Sequence, residues 1–499
     1  MAPTLLSKLK DKSLFIEQCF VDGQWTPARS GKTFNVENPA INEVLGTCPE
    51  CSKEDTETAI AAAAQAFESF RTTTARSRAR LLRKWYNLMV ENAEDLSLLI
   101  TLENGKVLGE ARGEVAYAAS FLEWFSEEAP RTYGDTIPAT NPGNQIVTIK
   151  EPVGVCALVT PWNFPAAMIT RKVGAALAAG CTVVIKSPAE TPFTANALAE
   201  LAHRAGIPKG VINVITTDKN IVEVGHTLTS SPLVRKVSFT GSTNIGKLLM
   251  RQCAEITLKK ISLELGGNAP FIVFDDADIN AAVQGALISK FRSSGQTCVC
   301  ANRIFVQDAV YDRFAEKLAA HVRDKFAVGD SLISSEVTHG PLIHDRAVAK
   351  VHEHVTDAVA KGARILAGGQ KVPELGPNYF QPTVLAAMTC DMKLATEETF
   401  GPVAGLFRFK TEQEVVRLAN NTDMGLAAYI FTKDNQKAWR TAKGLEVGMV
   451  GLNTGLISDA AAPFGGIKSS GLGREGSKYG IDEYLTVKMI TIGGLDTPV

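Results

Sequence analysis

The chain lacks nearly every mark of a secreted, membrane-spanning or nucleic-acid-binding protein. Its 52 lysines and arginines almost cancel its 53 aspartates and glutamates, leaving a formal net charge of −1 and no dense basic run. That removes the electrostatic footprint that nucleic acid or an acidic membrane would require. The longest apolar stretch, residues 173–185, is rich in alanine and glycine and too short to cross a bilayer. Nine cysteines spread over 499 residues form no disulfide framework, so a reducing compartment is expected. Cys48-x-x-Cys51 has no second half, and no zinc site is expected there. His352-x-His354 falls on a helical pattern and reads as a solvated face rather than a ligand pair. The first twenty residues carry lysines but neither an apolar signal core nor an Arg/Ser-rich transit pattern. The expected address is therefore cytoplasmic, with a mitochondrial one left open. The phosphate-binding pattern G-x-G-x-x-G is also missing after every strand-like run.

What remains is an ordinary α/β composition, 45% hydrophobic and 21% charged with 41 glycines, on a chain long enough to need two or three cores. Residues 15–50 read as short strands and turns, marked by Asp22-Gly23 and Asn38-Pro39. Residues 56–70 and 75–104 read as two long helices, with Gly105 placed to cap the second. A further helix over 113–128 is stopped by Pro130. Residues 131–151, with Gly134, Pro138 and Pro142-Gly143 around short β runs, read as a protruding hairpin. Beyond Val153 strands and helices alternate. The predicted strands are 155–160, 182–186, 211–215, 234–240 and 261–265, followed by 271–274, 302–306, 364–366, 428–431 and 449–453. Such alternation predicts parallel sheets that bind ligands beyond the carboxyl ends of their strands. The expected fold class is α/β, with two open Rossmann-like domains and a small β element. Residues 1–130 with 152–264 are assigned to dinucleotide binding and 265–460 to catalysis. Residues 131–151 with 482–499 form an oligomerisation hairpin and tail, the latter able to pair with the hairpin or with a partner subunit.

The stretch from Phe291 to Cys300, F-R-S-S-G-Q-T-C-V-C, joins a helical run to a strand. A cysteine in such a loop can be partly exposed and can see backbone N–H donors, conditions that favour thiolate, which makes Cys298 a candidate nucleophile. A small buried structural thiol is the alternative. Glu264 lies at a strand's carboxyl end beside two glycines, where a carboxylate could activate water. Asn163, held between Pro161 and Pro165, could donate to an oxyanion together with the Cys298 N–H. The Phe239-to-Gly246 stretch runs from a strand through a glycine turn into a helix, whose N-terminus could face a phosphate.

Over residues 15–490 the chain resembles the aldehyde dehydrogenase family. Six motifs in the family's order carry the likeness: Pro161-Trp-Asn-Phe-Pro165, Phe239-Thr-Gly-Ser242 with Gly246, Leu263-Glu-Leu-Gly-Gly267, Gly295-Gln-Thr-Cys298, Glu397-Glu-Thr-Phe-Gly-Pro402 and Pro463-Phe-Gly-Gly466. The resemblance implies that Cys298 adds to an aldehyde, that a nicotinamide takes the hydride, and that Glu264 activates water to release the acid. It also implies Trp162, Lys186 and Ser187 on the adenosine side, Gly241, Ser242, Gly246 and Leu265 along the pyrophosphate, and Glu398 and Phe400 at the nicotinamide ribose. NAD-preferring relatives often carry glutamate where this chain has Ala189, so NADP is expected to serve at least as well as NAD. Within the family the chain is most similar to succinate-semialdehyde dehydrogenases, a likeness carried by Arg171, Arg292 and Ser458. The two arginines are expected to hold the carboxylate of a short ω-oxo acid in bidentate fashion, succinic semialdehyde first and glutaric semialdehyde as the alternative. Both arginines in ion pairs is the contrary expectation. Cys300, two residues from Cys298, is a candidate redox partner through a reversible disulfide, or else packs behind the loop. A homo-oligomer, dimer or tetramer, is expected. The rival class is a cysteine hydrolase using Cys298 and Glu264 without hydride transfer.

Overall fold

The computed structural model describes residues 6–495. An eight-stranded sheet runs in the order Gln24–Thr26, Cys19–Val21, Ile212–Ile215, Thr182–Lys186, Val155–Val159, Val234–Thr240, Lys260–Glu264 and Gly471–Leu472. Its five central strands are parallel, and antiparallel strands close both edges. Strands covered on both faces read as continuous apolar runs, because successive side chains feed opposite cores. Thus Val183 and Ile185 enter one core while Val184 enters the other. The strand order reverses at Val155–Val159, so a crevice opens beyond the carboxyl ends of that strand and Val234–Thr240.

A seven-stranded sheet follows, in the order Arg364–Ala367, Thr383–Ala386, Val403–Phe409, Ala301–Gln307, Ala269–Val273, Ala427–Phe431 and Met449–Leu452. All but the first are parallel. Thr383–Ala386 and Val403–Phe409 were not expected from the sequence. The first is only four residues long, and the second begins directly after Gly401-Pro402, which reads as a turn. Here the expectation of a ligand beyond the carboxyl ends needs correction. The carboxylate of Asp276, just past Ala269–Val273, accepts from Thr432 Oγ1 (2.7 Å), Asp434 N (3.0 Å) and Lys433 N (3.1 Å). An internal anion thus takes the donors that a phosphate would use. The Cys298 loop instead feeds the amino end of Ala301–Gln307.

The hairpin forms a three-stranded sheet of its own. Leu485–Ile492 pairs antiparallel with Gln145–Pro152 along its whole length, and Thr136–Pro138 pairs with the other edge. The end of the expected tail, residues 496–499, lies outside the described residues. Residues 461–481, assigned to none of the expected units, run back to the first sheet, where Gly471–Leu472 pairs with Lys260–Glu264.

The helix expected over 75–104 breaks at Asn92 into Ala75–Glu91 and Ala93–Asn104; the Asn92 amide donates to Leu88 O (2.8 Å) and closes the first segment. Gly105 caps the second in the left-handed conformation, φ 78°. His354 does not lie on a solvated face, since it is buried and its Nδ1 meets Thr399 Oγ1 at 3.1 Å. No helix among the described residues is long and apolar enough to cross a membrane.

Candidate active site

The helix Ile279–Phe291 ends one residue before Arg292, and the backbone then turns sharply. Ser293 (φ 53°), Ser294 (φ 52°) and Gly295 (φ 76°) occupy the left-handed region in succession. For L residues such a conformation is strained by about 1–2 kcal/mol each, so the surroundings must hold it. They do so from several elements. Glu110 accepts from Ser293 N (2.9 Å), Ser294 Oγ donates to Gly340 O (2.9 Å), and Gln296 Oε1 accepts from Ile343 N (3.0 Å). Tyr429 Oη donates to Val299 O (2.9 Å). A Cβ on Gly295 would lie 2.2 Å from Gly401 O, and one on Gly267 would lie 2.4 Å from Cys298 O. Gly295 is thus needed for the loop to sit against Gly401, and Gly267 for the Cys298 backbone to approach the end of the first sheet. Cys300 packs behind the loop, its thiol donating to Gly295 O (3.3 Å).

Asn163 comes to this loop from the first sheet. Its Nδ2 donates to Gln296 O (2.9 Å), which leaves the second Nδ2 hydrogen for another acceptor, and its Oδ1 has no partner. The turn that carries it is clamped by a buried pair. Lys106 Nζ donates to Asn163 O (2.7 Å) and to Glu114, whose other oxygen accepts from Ala166 N (2.9 Å).

Glu264 ends the Lys260–Glu264 strand, with both carboxylate oxygens buried and unpartnered. Burial, then the neighbouring Glu475 carboxylate, hold its carboxyl well above the usual range, while Arg171, Lys172 and Arg474 pull the other way. Burial likewise pushes the Cys298 thiol up, reinforced by Glu264 and Glu398 and opposed by Arg171. The expectation that the loop favours thiolate is therefore corrected. At rest the half-buried Cys298 is a thiol between carboxylates, because lost hydration and like charge outweigh the loop's donors.

Glu398 Oε1 accepts from Gly267 N (3.2 Å), and burial pushes its pKa up to about 7. Phe400 (φ 54°) sets its ring edge-on to Trp162, with centroids 5.7 Å apart. In the crevice of the first sheet the hydroxyls of Thr160, Ser187 and Thr240 are buried without partners. Lys186 is buried beside them, and desolvation lowers its pKa. Ser242 is the N-cap of the helix Thr243–Ile256 but makes no side-chain bond to it. A Cβ on Gly246 would lie 2.4 Å from the Leu265 side chain, so that helix packs closely over the strand end. Buried donors and a helix N-terminus in one crevice fit an anionic dinucleotide. Among the described residues no group of three or more His, Cys, Asp or Glu could hold a metal ion.

The two arginines are not equivalent. Arg171 is 1% exposed, with Nη2 donating to Tyr117 Oη (2.8 Å), Nε 3.4 Å from Glu475 and Nη1 3.5 Å from Met168 Sδ. The Nε edge of Arg171 thus lies in an ion pair with Glu475 but makes no hydrogen bond to it. Arg292 is partly exposed, lies 5.5 Å over the Phe164 ring and has an unpartnered Nε. It lines one small cavity with Ser458, Thr297, Val299 and Tyr429.

The aldehyde dehydrogenase family model matches residues 25–490. The chain belongs to the aldehyde dehydrogenase family. It is 57% identical over 488 residues to the glutarate-semialdehyde dehydrogenase of Pseudomonas aeruginosa, covering 98% of this chain and 100% of that one. It is equally 57% identical over 486 residues to the NADP(+) succinate-semialdehyde dehydrogenase of Escherichia coli strain K12, covering 97% and 100%. The crystal structure of an E. coli NADP dependent enzyme superposes with a TM-score of 0.95 at 57% identity, again covering 97% and 100%.

Several side chains of this aldehyde dehydrogenase site carry no sequence signal. Glu475, Tyr117, Glu110 and the Lys106–Glu114 pair look like ordinary helix or loop residues, and only long-range packing brings them together. Because the loop depends on Gly295, Gly295→Ala should lower kcat by about 100-fold, the scale of an ångström-level misplacement. Steady-state turnover beside a thermal melt checks this. An unchanged kcat would show that the left-handed run tolerates a side chain.

Proposed function

We propose that the protein oxidises succinic semialdehyde to succinate, accepting NADP at least as readily as NAD. The carrying observation is convergence: Asn163 and Glu264, from two distant segments, meet the Cys298 loop, while Arg292 and Ser458 line a small cavity beside it. The Cys298 sulfur adds to the aldehyde carbon, its proton passing to Glu264 once that burial-raised carboxyl has ionised, and on from Glu264 to solvent before the thioester is hydrolysed. The tetrahedral oxyanion takes the uncommitted Nδ2 hydrogen of Asn163. A nicotinamide held at Glu398 and Phe400 would supply the hydride acceptor for that carbon. The thioester left on Cys298 is attacked by water, and Glu264 removes the water's proton. Because both Glu264 oxygens are unpartnered, the carboxyl can turn between the two tasks without breaking a bond.

In this reading Trp162, Lys186 and Ser187 hold the adenosine side, Gly241, Ser242, Gly246 and Leu265 the pyrophosphate, and Glu398 and Phe400 the nicotinamide ribose. Ala189 offers no carboxylate to repel a 2′-phosphate, and the E. coli relative is named for NADP(+). Residues 1–130 and 152–264 then bind the dinucleotide, 265–460 supply the thiol, and 131–151 with 482–499 assemble a homo-oligomer in the cytoplasm. Leu485–Ile492 is an edge strand with Val487 and Met489 exposed, a surface that a second copy would cover. Glutaric semialdehyde is the second reading, favoured by the P. aeruginosa relative's name. Disulfide closure between Cys298 and Cys300 would first require Cys300 to leave Gly295 O.

A panel of succinic semialdehyde, glutaric semialdehyde and propanal against NADP and NAD tests the reading. The highest kcat/KM should fall on succinic semialdehyde with NADP, and a large excess for NAD or for propanal would overturn it. Arg292→Ala should raise KM for succinic semialdehyde by about 10-fold or more, as expected for loss of a charge-assisted hydrogen bond, and spare propanal. Equal losses on both would make the residue structural. Glu398 supplies a pH test. With its pKa raised to about 7, the ionised form that accepts ribose hydroxyls grows as pH rises through that value. The KM for the cofactor should therefore fall from pH 6 to 8, and Glu398→Gln should flatten that dependence.

A further inference from the structure

The segment that carries Glu398 and Phe400 is held by one stripe of the helix Asp345–Ala360. Lys350, Glu353, His354 and Asp357 recur at the spacing of three and four that places side chains on one helical face. Asp357 accepts from Lys393 N (2.7 Å), and Glu353 pairs with the Lys393 ammonium, which docks the short helix Lys393–Thr396 ahead of the segment. Exposed Lys350 donates from Nζ to Glu398 O (2.6 Å). The buried His354 reaches both neighbours of Glu398. Its Nδ1 meets Thr399 Oγ1 at 3.1 Å, and its Nε2 lies 3.4 Å from Glu397 Oε2. These partners fix the tautomer, with Nε2–H toward the carboxylate and Nδ1 accepting from the Thr399 hydroxyl. Burial and then Lys350 hold the imidazole's pKa below its usual value, against Glu397 and Glu353, so the ring is neutral and Nδ1 keeps its lone pair.

We propose that His354 is the positioning residue for the cofactor's nicotinamide end: one imidazole ties Glu397 to Thr399 and so sets the backbone from which Glu398 and Phe400 reach the ribose. This deepens, and rests on, the reading of Glu398 and Phe400 given above. Glu398 needs such support because its carboxylate accepts from Gly267 N at 3.2 Å, the long end of the hydrogen-bond range, so its aim follows the backbone beneath it. Phe400 needs it because φ 54° is a conformation that an aromatic L residue keeps only where its surroundings impose it. On the far side Thr383 N donates to Pro402 O (2.8 Å), and Val351 packs where a Cβ on Gly401 would lie 2.3 Å from it. His354 touches neither substrate nor cofactor in this scheme and acts through the main chain.

The test compares the full-length enzyme with His354→Ala by the KM for NADP and by the inhibition constant of 2′,5′-ADP, which carries the adenosine half of the cofactor without its nicotinamide. The variant should raise KM for NADP by about 10-fold, the scale of losing a hydrogen bond to a charged group, and leave 2′,5′-ADP unchanged. His354→Asn, whose Oδ1 can stand in for Nδ1, should restore part of the loss. Thr399→Val keeps the side-chain shape without the hydroxyl; it should raise KM the same way by less, and add nothing on top of His354→Ala. An equal rise for 2′,5′-ADP overturns the inference by making His354 a packing residue, and additive effects of the two changes overturn it as well. Should His354→Ala fail to fold, the Asn and Val variants decide on the same readouts. Glu398→Ala separates the two levels. A raised KM there beside unchanged His354 and Thr399 variants overturns this inference alone, and an unchanged KM in Glu398→Ala overturns the ribose reading and this inference with it.

Discussion

Negative charge buried around one sulfur is the constraint on which the site depends. Glu264, Glu398 and Glu475 lie in or beside the Cys298 pocket, and two of them push its thiol up. Ionised carboxylates at such depth are sustained only by opposing charge and fixed donors. Arg171 and Lys172, adjacent on the helix Ala167–Ala179, both reach Glu475, and Lys172 also meets Ser238 Oγ at 3.1 Å. Arg171 further lowers the cost of charge on Glu264 and Cys298. The guanidinium that the sequence offers as a substrate ligand is also, in the folded chain, a counter-ion of Glu475. Deleting it would leave Glu475 to Lys172 alone and remove one of the three cations that favour charge on Glu264.

The second requirement is that two sheets meet by opposite ends. The first presents the carboxyl ends of its strands, where Thr160, Lys186, Ser187 and Thr240 collect and Glu264 terminates its strand. The second presents an amino end, where the Cys298 loop enters Ala301–Gln307. Its own switch-point donors are spent on Asp276, which keeps anions out of that crevice. Similar α/β layers thus serve different purposes, and the difference lies in loop direction and in one internal carboxylate. The left-handed run at 293–295 turns the loop toward Asn163, while Gly267 lets its backbone approach.

Much of this was legible in the sequence, for identifiable reasons. Strands of the Thr182–Lys186 kind are unbroken apolar runs between turn residues, and the parallel sheets follow from their alternation with helices. Gly105 and Pro130 read correctly because a left-handed cap and a missing N–H are local facts. Thr383–Ala386 was too short to register, and Gly401-Pro402 disguised the start of Val403–Phe409. Asn92 interrupts a helix whose apolar spacing continues across it, so periodicity alone joins the halves. His354 was misplaced for the opposite reason, because a polar residue at a core-facing helical position shows its burial only through its partner, Thr399. The state of Cys298 was misjudged most instructively. Loop composition reports nearby donors, but the charge on a thiol is set by burial and by carboxylates that arrive from residues 264 and 398.

The same separation of local from long-range information bears on the substrate end. Arg171 and Arg292 look interchangeable as residues flanking a nucleophile, yet one lies in an ion pair with Glu475 while the other, partly exposed, has no carboxylate paired to it among the described residues. An incoming carboxylate adds negative charge to a region already crowded with it, so it is held best away from Glu264 and Glu475. Arg292, over the Phe164 face and sharing a cavity with Ser458, meets that condition; Arg171 does not. The division sets one guanidinium beside the buried carboxylates and leaves the other to the cavity it shares with Ser458.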